Sequence, residues 1–536
     1  MRSIGMIALA LASVVSPSAS PSVLDVRIEK MIDRMTVRER AAQLLVVGFS
    51  GTRVNSEIRR LVHDWRVGAI AIYSRNVNTP AQLRSLTAEI RALAPDGVAP
   101  LIAVDQEGGE VARIGDGVPR LPGQMALGAT RSPELARRAG RALGASLAAL
   151  GVTLNLAPVV DVAEARSPIG IRAFADDAAL TGTLGAAFIR GQREGGIAST
   201  AKHFPGIGFA PADSHDQLPV VSASLQDLRR IHFAPIRAAI DAGVDAVMVG
   251  HVAVPAIDGQ TPATLSPAII ALLRDDLRFD GVVITDALEM GALDRSDGIG
   301  RLAVRSVHAG ADLVMVLWHQ RDREEVLDAL EAACRSGELS DARVRQSLRR
   351  ILRLKLRLPA RHVVADTTIA DDIARASLTL LRNEAGLVPL RGGDGLVYIG
   401  PEGPLADTLH TAKSVQIPPF IPPERAEAWA MRAREAAAGA SVIIGVAQNL
   451  GQLAVIRAAH EAWPAARVIL VSLGSPQLIN DFPQTRAYIC AYGYLAPSQH
   501  AAAALLVGAA RPRGRLPVAV PPLFAAGDGI IDTKAP

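Results

Sequence analysis

The sequence predicts an α/β protein in which a (β/α)8 TIM-like barrel precedes a smaller α/β domain. Three observations lead to this prediction. The chain has 536 residues, which is more than one ordinary hydrophobic core accommodates. Between residues 25 and 357, short apolar runs alternate with helical patterns roughly eight times. Several apolar runs end in an ionisable residue, at the strand ends where barrel enzymes carry their active sites.

The apolar runs of the first part predict the strands, and the helical patterns between them predict the helices. The predicted strands are 44–49, 69–73, 101–104, 153–157, 197–201, 246–249, 282–285 and 313–317. The predicted helices include 80–93, 133–149, 225–242 and 267–277, and a long helical pattern over 323–357 ends this part. An open doubly wound sheet stays an alternative, because periodicity does not show that a sheet closes.

The remaining chain predicts a linker over 358–370 and a second α/β domain over 371–536. Its predicted strands are 396–399, 441–446 and 468–473, with a helix over 453–462. The glycine-rich stretch 392–395 precedes a strand and does not link a strand to a helix, so it does not indicate a phosphate-binding loop.

Composition narrows the class of protein. Hydrophobic residues make up 49% of the chain and the mean hydropathy is +0.23, which argues against disorder. The net charge of +4 is small and the basic residues are scattered, so no nucleic-acid partner is expected. Cys334 and Cys490 lie far apart and indicate neither a metal site nor a disulfide framework, although a single bridge stays open. No metal or cofactor is expected.

The N-terminus has the pattern of a secretory signal over residues 1–20. Arg2 precedes an uncharged apolar run, and a stretch of small residues follows it. The run is too short to predict a membrane span, so no stable membrane insertion is expected once the signal is removed. The prediction is therefore an exported protein, periplasmic or secreted. A cytoplasmic protein and one with an uncleaved N-terminal anchor are the alternatives.

The segment from Lys202-His203 to Asp213-Ser214-His215 concentrates ionisable residues between a predicted strand and a predicted helix. Long loops in compact domains are commonly functional. In Asp213-Ser214-His215 a carboxylate stands two residues from an imidazole, where it can orient the ring and stabilise its protonated form. The alternative is that these histidines are solvated loop residues.

Other strand ends add further candidates. Asp286 ends the apolar run 281–285, where it is a candidate nucleophile, base or metal ligand, or alternatively a helix N-cap. Asp105 follows another such run, and its two oxygens can accept hydrogen bonds from neighbouring sugar hydroxyls. Arg113 and Arg172 would add donors. A turn with solvated acids is the alternative for the segment that contains Asp105.

Taken together, these motifs resemble glycoside hydrolase family 3, and within it the bacterial β-N-acetylglucosaminidases. They occur in the family's order across nearly the whole first domain. The matching motifs are Asp105-Gln106-Glu107-Gly108-Gly109, Asn155-Leu156-Ala157-Pro158-Val159-Val160-Asp161, Lys202-His203-Phe204-Pro205-Gly206, Asp213-Ser214-His215, Asp245-Ala246-Val247-Met248, Pro262-Ala263-Thr264-Leu265-Ser266 and Thr285-Asp286-Ala287-Leu288-Glu289-Met290. The second domain looks like the family's α/β-sandwich domain, with a looser match.

The resemblance implies a retaining hydrolase that removes terminal N-acetylglucosamine from peptidoglycan- or chitin-derived sugars. Asp286 would be the nucleophile that forms a covalent glycosyl-enzyme, and His215 the general acid/base with Asp213 as its partner. The residues implied to bind the sugar ring are Asp105, Arg113, Arg172, Lys202 and His203.

One segment departs from the family's motif, which usually continues from Gly206 as His-Gly-Asp-Thr. Here Ile207 replaces the histidine, and Phe209-Ala210 replace the last two residues. Three other functions stay open: a β-glucosidase or β-xylosidase, an N-acetylglucosaminide phosphorylase, and a muropeptide-binding protein without catalysis.

Overall fold

The computed structural model describes residues 22–164, 167–357, 363–391, 395–411 and 413–531. The predicted signal over 1–20 and the first part of the predicted linker lie outside these residues. Within them, no helix is long and apolar enough to cross a membrane.

Eight parallel strands close into a barrel, as the sequence predicts. Neighbours along the chain are neighbours in the sheet, and the first strand pairs with both the second and the eighth. The strands are Leu45–Val47, Ala69–Ile72, Leu101–Val104, Leu154–Asn155, Ala198–Phe204, Ala246–Val249, Val282–Ala287 and Leu313–Val316.

Helices surround the barrel, and most begin at a side chain that caps the first turn. Ser132 accepts from the amide of Leu135 at the start of one helix, and Asp177 accepts from Leu180 at the start of the next. The longer helices are Val23–Arg34, Val37–Ala42, Pro80–Ala92, Gln124–Thr130, Pro133–Ala149, Ala178–Glu194, Phe233–Asp241, Ile299–Ala309, Gln320–Ser336 and Asp341–Arg357.

Several predicted elements of the barrel have different bounds in the structure. The predicted helix over 323–357 is two helices, because Gly337 takes a left-handed conformation (φ 82°) that ends the first. The predicted helix over 225–242 is divided by a wider π turn, Leu228–His232. The fifth strand continues through Lys202 and His203 to Phe204, because Lys202 and Phe204 still pair with the sixth strand.

The second part of the described chain contains a six-stranded mixed sheet. Its first strand runs antiparallel beside the last, and the other pairs are parallel. The strands are Thr379–Asn383, Leu396–Gly400, Lys413–Gln416, Val442–Ala447, Arg467–Ser472 and Ala487–Cys490. The main helices are Ile369–Ser377, Pro404–Leu409, Ala426–Ala437, Leu450–Ala462 and Ala496–Leu506. Cys490 is buried in the last strand, and Cys490 and Cys334 are both free thiols.

A buried amide network fixes the end of the third barrel strand. Asn155 accepts from the Gln106 amide (3.1 Å) and donates to the Gln106 carbonyl oxygen (3.0 Å). Asn155 also donates to Gln192 Oε1 (2.8 Å), whose side chain donates to the Ala157 carbonyl oxygen (3.0 Å). Buried polar groups that are fully paired favour a single arrangement of the chain. The backbone on both sides of Gln106 is thereby held at the mouth of the barrel.

We expect the stability of the barrel to depend on the protonation of Asp245, whose pKa is raised by burial to about 6. The folded state binds this proton more tightly than the unfolded chain does. The stabilisation is therefore complete below the ordinary pKa of 3.8 and is lost as the pH rises through about 6. Asp245→Asn keeps an acceptor for the Ser199 amide and removes the charge.

The variant should gain stability relative to the parent between pH 4.5 and 7.5, by at most about 3 kcal/mol. Urea unfolding of both proteins at several pH values measures this difference. Asp241→Asn, at an exposed position nearby, serves as the control. A difference between parent and Asp245→Asn that does not change with pH would contradict the prediction.

Candidate active site

A cavity of about 380 Å³ opens at the carboxyl ends of the barrel strands. Every residue that the sequence predicts for the site lines this cavity: Asp105, Arg113, Arg172, Lys202, His203, Asp213, His215 and Asp286. They come from separate strands and loops, and barrel closure brings them together at one mouth.

Four charged side chains form a network on one wall. Lys202 Nζ lies 2.7 Å from Asp105 Oδ1 and 2.7 Å from Glu107 Oε1. Arg172 holds Glu107 with two parallel contacts, Nε to Oε2 and Nη2 to Oε1, both 2.9 Å. Two cations balance two carboxylates, so the network has no net charge. A bidentate guanidinium–carboxylate pair also fixes the orientation of both groups.

This pairing keeps the network ionised despite its burial. Glu107 is 1% exposed and Lys202 is 3% exposed. Burial alone would raise the pKa of Glu107, but Arg172 and Lys202 outweigh it and hold that pKa at about 2. Burial would likewise lower the pKa of Lys202, and Asp105 and Glu107 raise it instead. The site therefore presents fixed charges over the ordinary pH range.

His203 is oriented by a buried carboxylate that sequence reasoning did not assign a role. Asp161 Oδ2 lies 2.7 Å from His203 Nδ1 and accepts from the His203 amide (3.1 Å). Its other oxygen accepts from the Ile207 amide (2.8 Å). Burial would raise the pKa of Asp161, but His203 and the Ile207 amide lower it. With Nδ1 donating to Asp161, Nε2 of His203 is left to accept from a ligand.

Asp286 lies in the seventh strand and not at the start of a helix, so the N-cap alternative is wrong. One carboxylate oxygen accepts from the Ala287 amide at 2.8 Å. Burial would raise the pKa of Asp286, but the hydrogen bond from the Ala287 amide and the positive charge of Lys202 lower it. Asp286 is therefore a carboxylate at neutral pH, which is the form that a nucleophile requires.

His251 holds the backbone beside Asp286. Its Nε2 donates to the Ala287 carbonyl oxygen (2.9 Å), and its Nδ1 lies 2.7 Å from Thr264 Oγ1. Burial lowers the pKa of His251, so the ring is neutral at ordinary pH. The sequence analysis assigned His251 no role, because its partners are distant in sequence.

The Asp213–His215 pair lies on a solvent-exposed part of the cavity lining. Asp213 Oδ1 accepts from the His215 amide (2.9 Å) and lies 2.7 Å from His215 Nδ1. The His215 side chain is 68% exposed, in contrast to the buried network. Asp213 fixes the ring orientation, and Nε2 of His215 is left to transfer a proton.

Two backbone hydrogen bonds join the loop that carries His215 to the segment that follows Asp286. The Gly291 amide donates to the His215 carbonyl oxygen (3.0 Å), and the Ala292 amide donates to the Ser214 carbonyl oxygen (3.2 Å). The loop of the candidate acid/base is thereby bonded to the backbone five residues after the candidate nucleophile.

The segment that departs from the family's motif makes apolar contacts. Ile207 and Ala210 line the cavity, while Phe209 packs edge-on against His232 with ring centroids 4.5 Å apart. His232 is 2% exposed, and neither ring nitrogen has a hydrogen-bond partner in the structure. Burial lowers the pKa of His232, so a neutral ring packs against Phe209.

Another wall contains aromatic residues that the sequence analysis did not single out. Tyr73 and Trp318 both line the cavity, and their ring centroids are 4.9 Å apart. The guanidinium carbon of Arg113 lies 5.2 Å from the Tyr73 ring centroid, which places that predicted residue over an aromatic face. Within the described part of the chain, no cluster of His, Cys, Asp and Glu has the arrangement of a metal site.

Comparisons with known proteins agree with this geometry. Residues 36–354 match the glycosyl hydrolase family 3 N-terminal domain. A beta-hexosaminidase of Pseudomonas aeruginosa (strain LESB58) is 38% identical over 290 residues, covering 54% of this chain and 86% of that protein. A beta-hexosaminidase of Thiobacillus denitrificans is 39% identical over 295 residues, covering 54% of this chain and 81% of that protein.

The resemblance to one solved structure extends over both parts of the chain. The family 3 β-N-acetylglucosaminidase from Paenibacillus sp. FPU-7 superposes with a TM-score of 0.83 at 34% identity. The superposition covers 91% of this chain and 99% of that one.

We expect Gly291→Ala to loosen the loop that carries His215. A Cβ atom at position 291 would lie 2.7 Å from the carbonyl oxygens of both His215 and Asp216, so the loop would have to move away. Hydrogen–deuterium exchange at the amides of residues 291 and 292 should then accelerate about tenfold or more. Gly451→Ala, in a helix of the second part, is the control. Unchanged exchange in Gly291→Ala would show that the loop tolerates the methyl group.

Proposed function

The chain belongs to glycosyl hydrolase family 3 and is a glycoside hydrolase, and we propose that it removes terminal non-reducing N-acetylglucosamine with retention of configuration. The relatives named beta-hexosaminidase support hydrolysis of N-acetylglucosaminides. The observation that carries the proposal is the Asp213–His215 pair lining the same cavity as the ionised Asp286.

In this proposal the buried wall binds the sugar ring. The lone pairs of Asp105 that do not bind Lys202 accept from sugar hydroxyls. Lys202 and Arg172 keep that wall ionised, and their N–H groups that do not bind a carboxylate donate to the sugar. Nε2 of His203 accepts from a further hydroxyl. Because these groups are already paired and buried, they lose little conformational entropy when the sugar enters.

The first chemical step forms a bond from an Asp286 oxygen to the anomeric carbon and breaks the glycosidic C–O bond. Protonated His215 gives its Nε2 proton to the departing oxygen, so the leaving group departs as a neutral alcohol. Asp213 stabilises the imidazolium before this transfer.

In the second step neutral His215 takes a proton from water, and the water oxygen attacks the same carbon. The bond to Asp286 breaks, and the sugar leaves with its original anomeric configuration. A neutral imidazole attracts no counter-ion and adds no negative charge beside Asp286, in contrast to a second carboxylate. The exposed position of His215 gives the attacking water direct access.

We expect Asp286→Ala to abolish turnover of aryl N-acetylglucosaminides, because no other group would form the glycosyl-enzyme. His215→Ala should lower kcat/KM by roughly 10²–10⁴-fold, since general acid–base catalysis supplies about that factor. The loss in His215→Ala should shrink for aryl groups that leave without protonation, such as dinitrophenol. His319→Ala, an exposed histidine that does not line the cavity, is the control.

The same assay separates the competing functions. The proposal requires the aryl N-acetylglucosaminide to be cleaved in preference to the aryl glucoside and xyloside, with free N-acetylglucosamine as the product. Rate stimulation by phosphate with a sugar-1-phosphate product would identify a phosphorylase instead. Near-parental rates in Asp286→Ala or His215→Ala would refute the assigned roles. Binding of N-acetylglucosamine without turnover by the parent chain would select the muropeptide-binding alternative.

We also propose that the chain is exported and acts on cell-wall- or chitin-derived sugars. Over positions 1–20 a basic residue is followed by an apolar run and then by a stretch of small residues, and the proposal rests on this pattern. The mature protein from the native host is expected to begin after the small-residue stretch near position 20. Mass spectrometry of the intact chain measures its N-terminus. Recovery of the uncleaved chain from the cytoplasm would contradict export, and recovery from membranes would indicate an anchor.

A further inference from the structure

Trp318 is an exposed aromatic side chain at the mouth of the cavity. It follows the eighth barrel strand, lines the cavity, and is 48% exposed. A tryptophan exposed to that extent forgoes the stabilisation that burial of its apolar surface would supply. The catalytic steps proposed above do not use it.

The indole is held in place although its surface is open. Its ring lies 4.9 Å from that of Tyr73, and the guanidinium carbon of Arg75 lies 4.5 Å from the Trp318 ring centroid. Arg75 is itself fixed, because it donates to the carbonyl oxygens of Phe49 and Leu317, both at 3.0 Å.

The backbone of Trp318 is fixed as well, since its amide donates to Glu289 Oε1 at 2.9 Å. An aromatic face that is ordered before binding loses little entropy when a ligand covers it.

The two aromatic residues differ in depth. Tyr73 is half-buried directly after the second barrel strand, and it lines the cavity with the Arg113 guanidinium over its ring. Trp318 packs on Tyr73 and is largely exposed, so it lies further out. A ligand that extends from the anomeric carbon towards solvent would therefore meet Trp318 after Tyr73.

We propose that Trp318 stacks against the sugar ring on the leaving-group side of the scissile bond. This inference rests on the proposed function and adds the class of aglycone. The axial C–H groups of a pyranose form a flat apolar face that packs against an aromatic ring.

Among the described residues that line the cavity, only Trp318 and Tyr73 have a Trp, Tyr or Phe side chain. The cavity therefore has an aromatic surface for one further sugar ring. The substrate is then N-acetylglucosamine β-linked to a second pyranose, and no extended polysaccharide surface is required.

The test compares two substrates that differ in the aglycone. N,N′-diacetylchitobiose has a pyranose aglycone, and 2,2,2-trifluoroethyl N-acetyl-β-glucosaminide has a leaving group without a ring. Aryl glycosides are unsuitable, since their aromatic ring can itself stack on Trp318. The parameter is kcat/KM, because it includes aglycone binding and bond cleavage but not hydrolysis of the glycosyl-enzyme.

Trp318→Ala should lower kcat/KM for the disaccharide about tenfold or more and change that for the trifluoroethyl glycoside less than twofold. Trp318→Phe, which keeps an aromatic face, should recover most of the loss. Trp463→Ala removes an exposed tryptophan of the second part and should change neither value. Thermal unfolding of each variant checks that it folds. If Trp318→Ala does not fold, Trp318→Phe is compared with the parent instead.

Equal losses on both substrates would mean that Trp318 supports the whole cavity, and an unchanged value for the disaccharide would mean that it does not bind the aglycone. Either result overturns the inference. A parent enzyme that leaves the trifluoroethyl N-acetylglucosaminide intact while cleaving the corresponding glucoside would instead overturn the proposed function, and the two failures are therefore distinguishable.

Discussion

The pairing of Lys202 with Asp105 and Glu107 is the interaction on which the rest of the site depends. A buried ammonium group costs several kcal/mol unless its attraction to partners compensates for the loss of water. Here two carboxylates accept from Lys202, and Arg172 completes the charge balance through Glu107. Removal of Lys202 would leave Asp105 without its cation, and removal of Glu107 would leave Arg172 without its carboxylate. The network consequently fixes the third strand end, the fifth strand and the Arg172 segment in one mutual arrangement.

A second constraint is the division of the site into a fixed half and an exposed half. The charges of the proposed sugar-binding wall are held by buried partners, whereas the Asp213–His215 pair is in contact with solvent. The proposed chemistry gives a reason for this difference. His215 must deliver a proton to a leaving group and afterwards activate a water molecule, which has to reach it once the leaving group has gone. The ring-binding groups need no such access, and burial strengthens their electrostatic interactions.

The sequence was sufficient to predict the barrel and the residues that end its strands. Asp286 and Lys202 were identifiable because an ionisable residue directly follows an apolar run, and the Asp213–His215 pair because its members are two residues apart. The pairings that tune these groups were not identifiable. Glu107 and Arg172 are 65 residues apart, and Asp161 and His203 are 42 apart, so only closure of the barrel joins them. The Tyr73–Trp318 wall was missed for the same reason. The edge strand 413–416 was missed because its residues are largely polar.

The second domain contacts the barrel next to the buried, fixed half of the site. The Gly123 amide donates to the Tyr492 carbonyl oxygen (3.2 Å), and Tyr494 Oη lies 3.4 Å from the Gly109 carbonyl oxygen. Gly109 begins the turn that directly follows the short strand Gln106–Gly108, and its own amide donates to the Leu121 carbonyl oxygen. A displacement of that turn would move Glu107 away from both cations. The second domain therefore supports the buried network through the backbone, while the loop that carries His215 is held by the barrel's own Gly291 and Ala292.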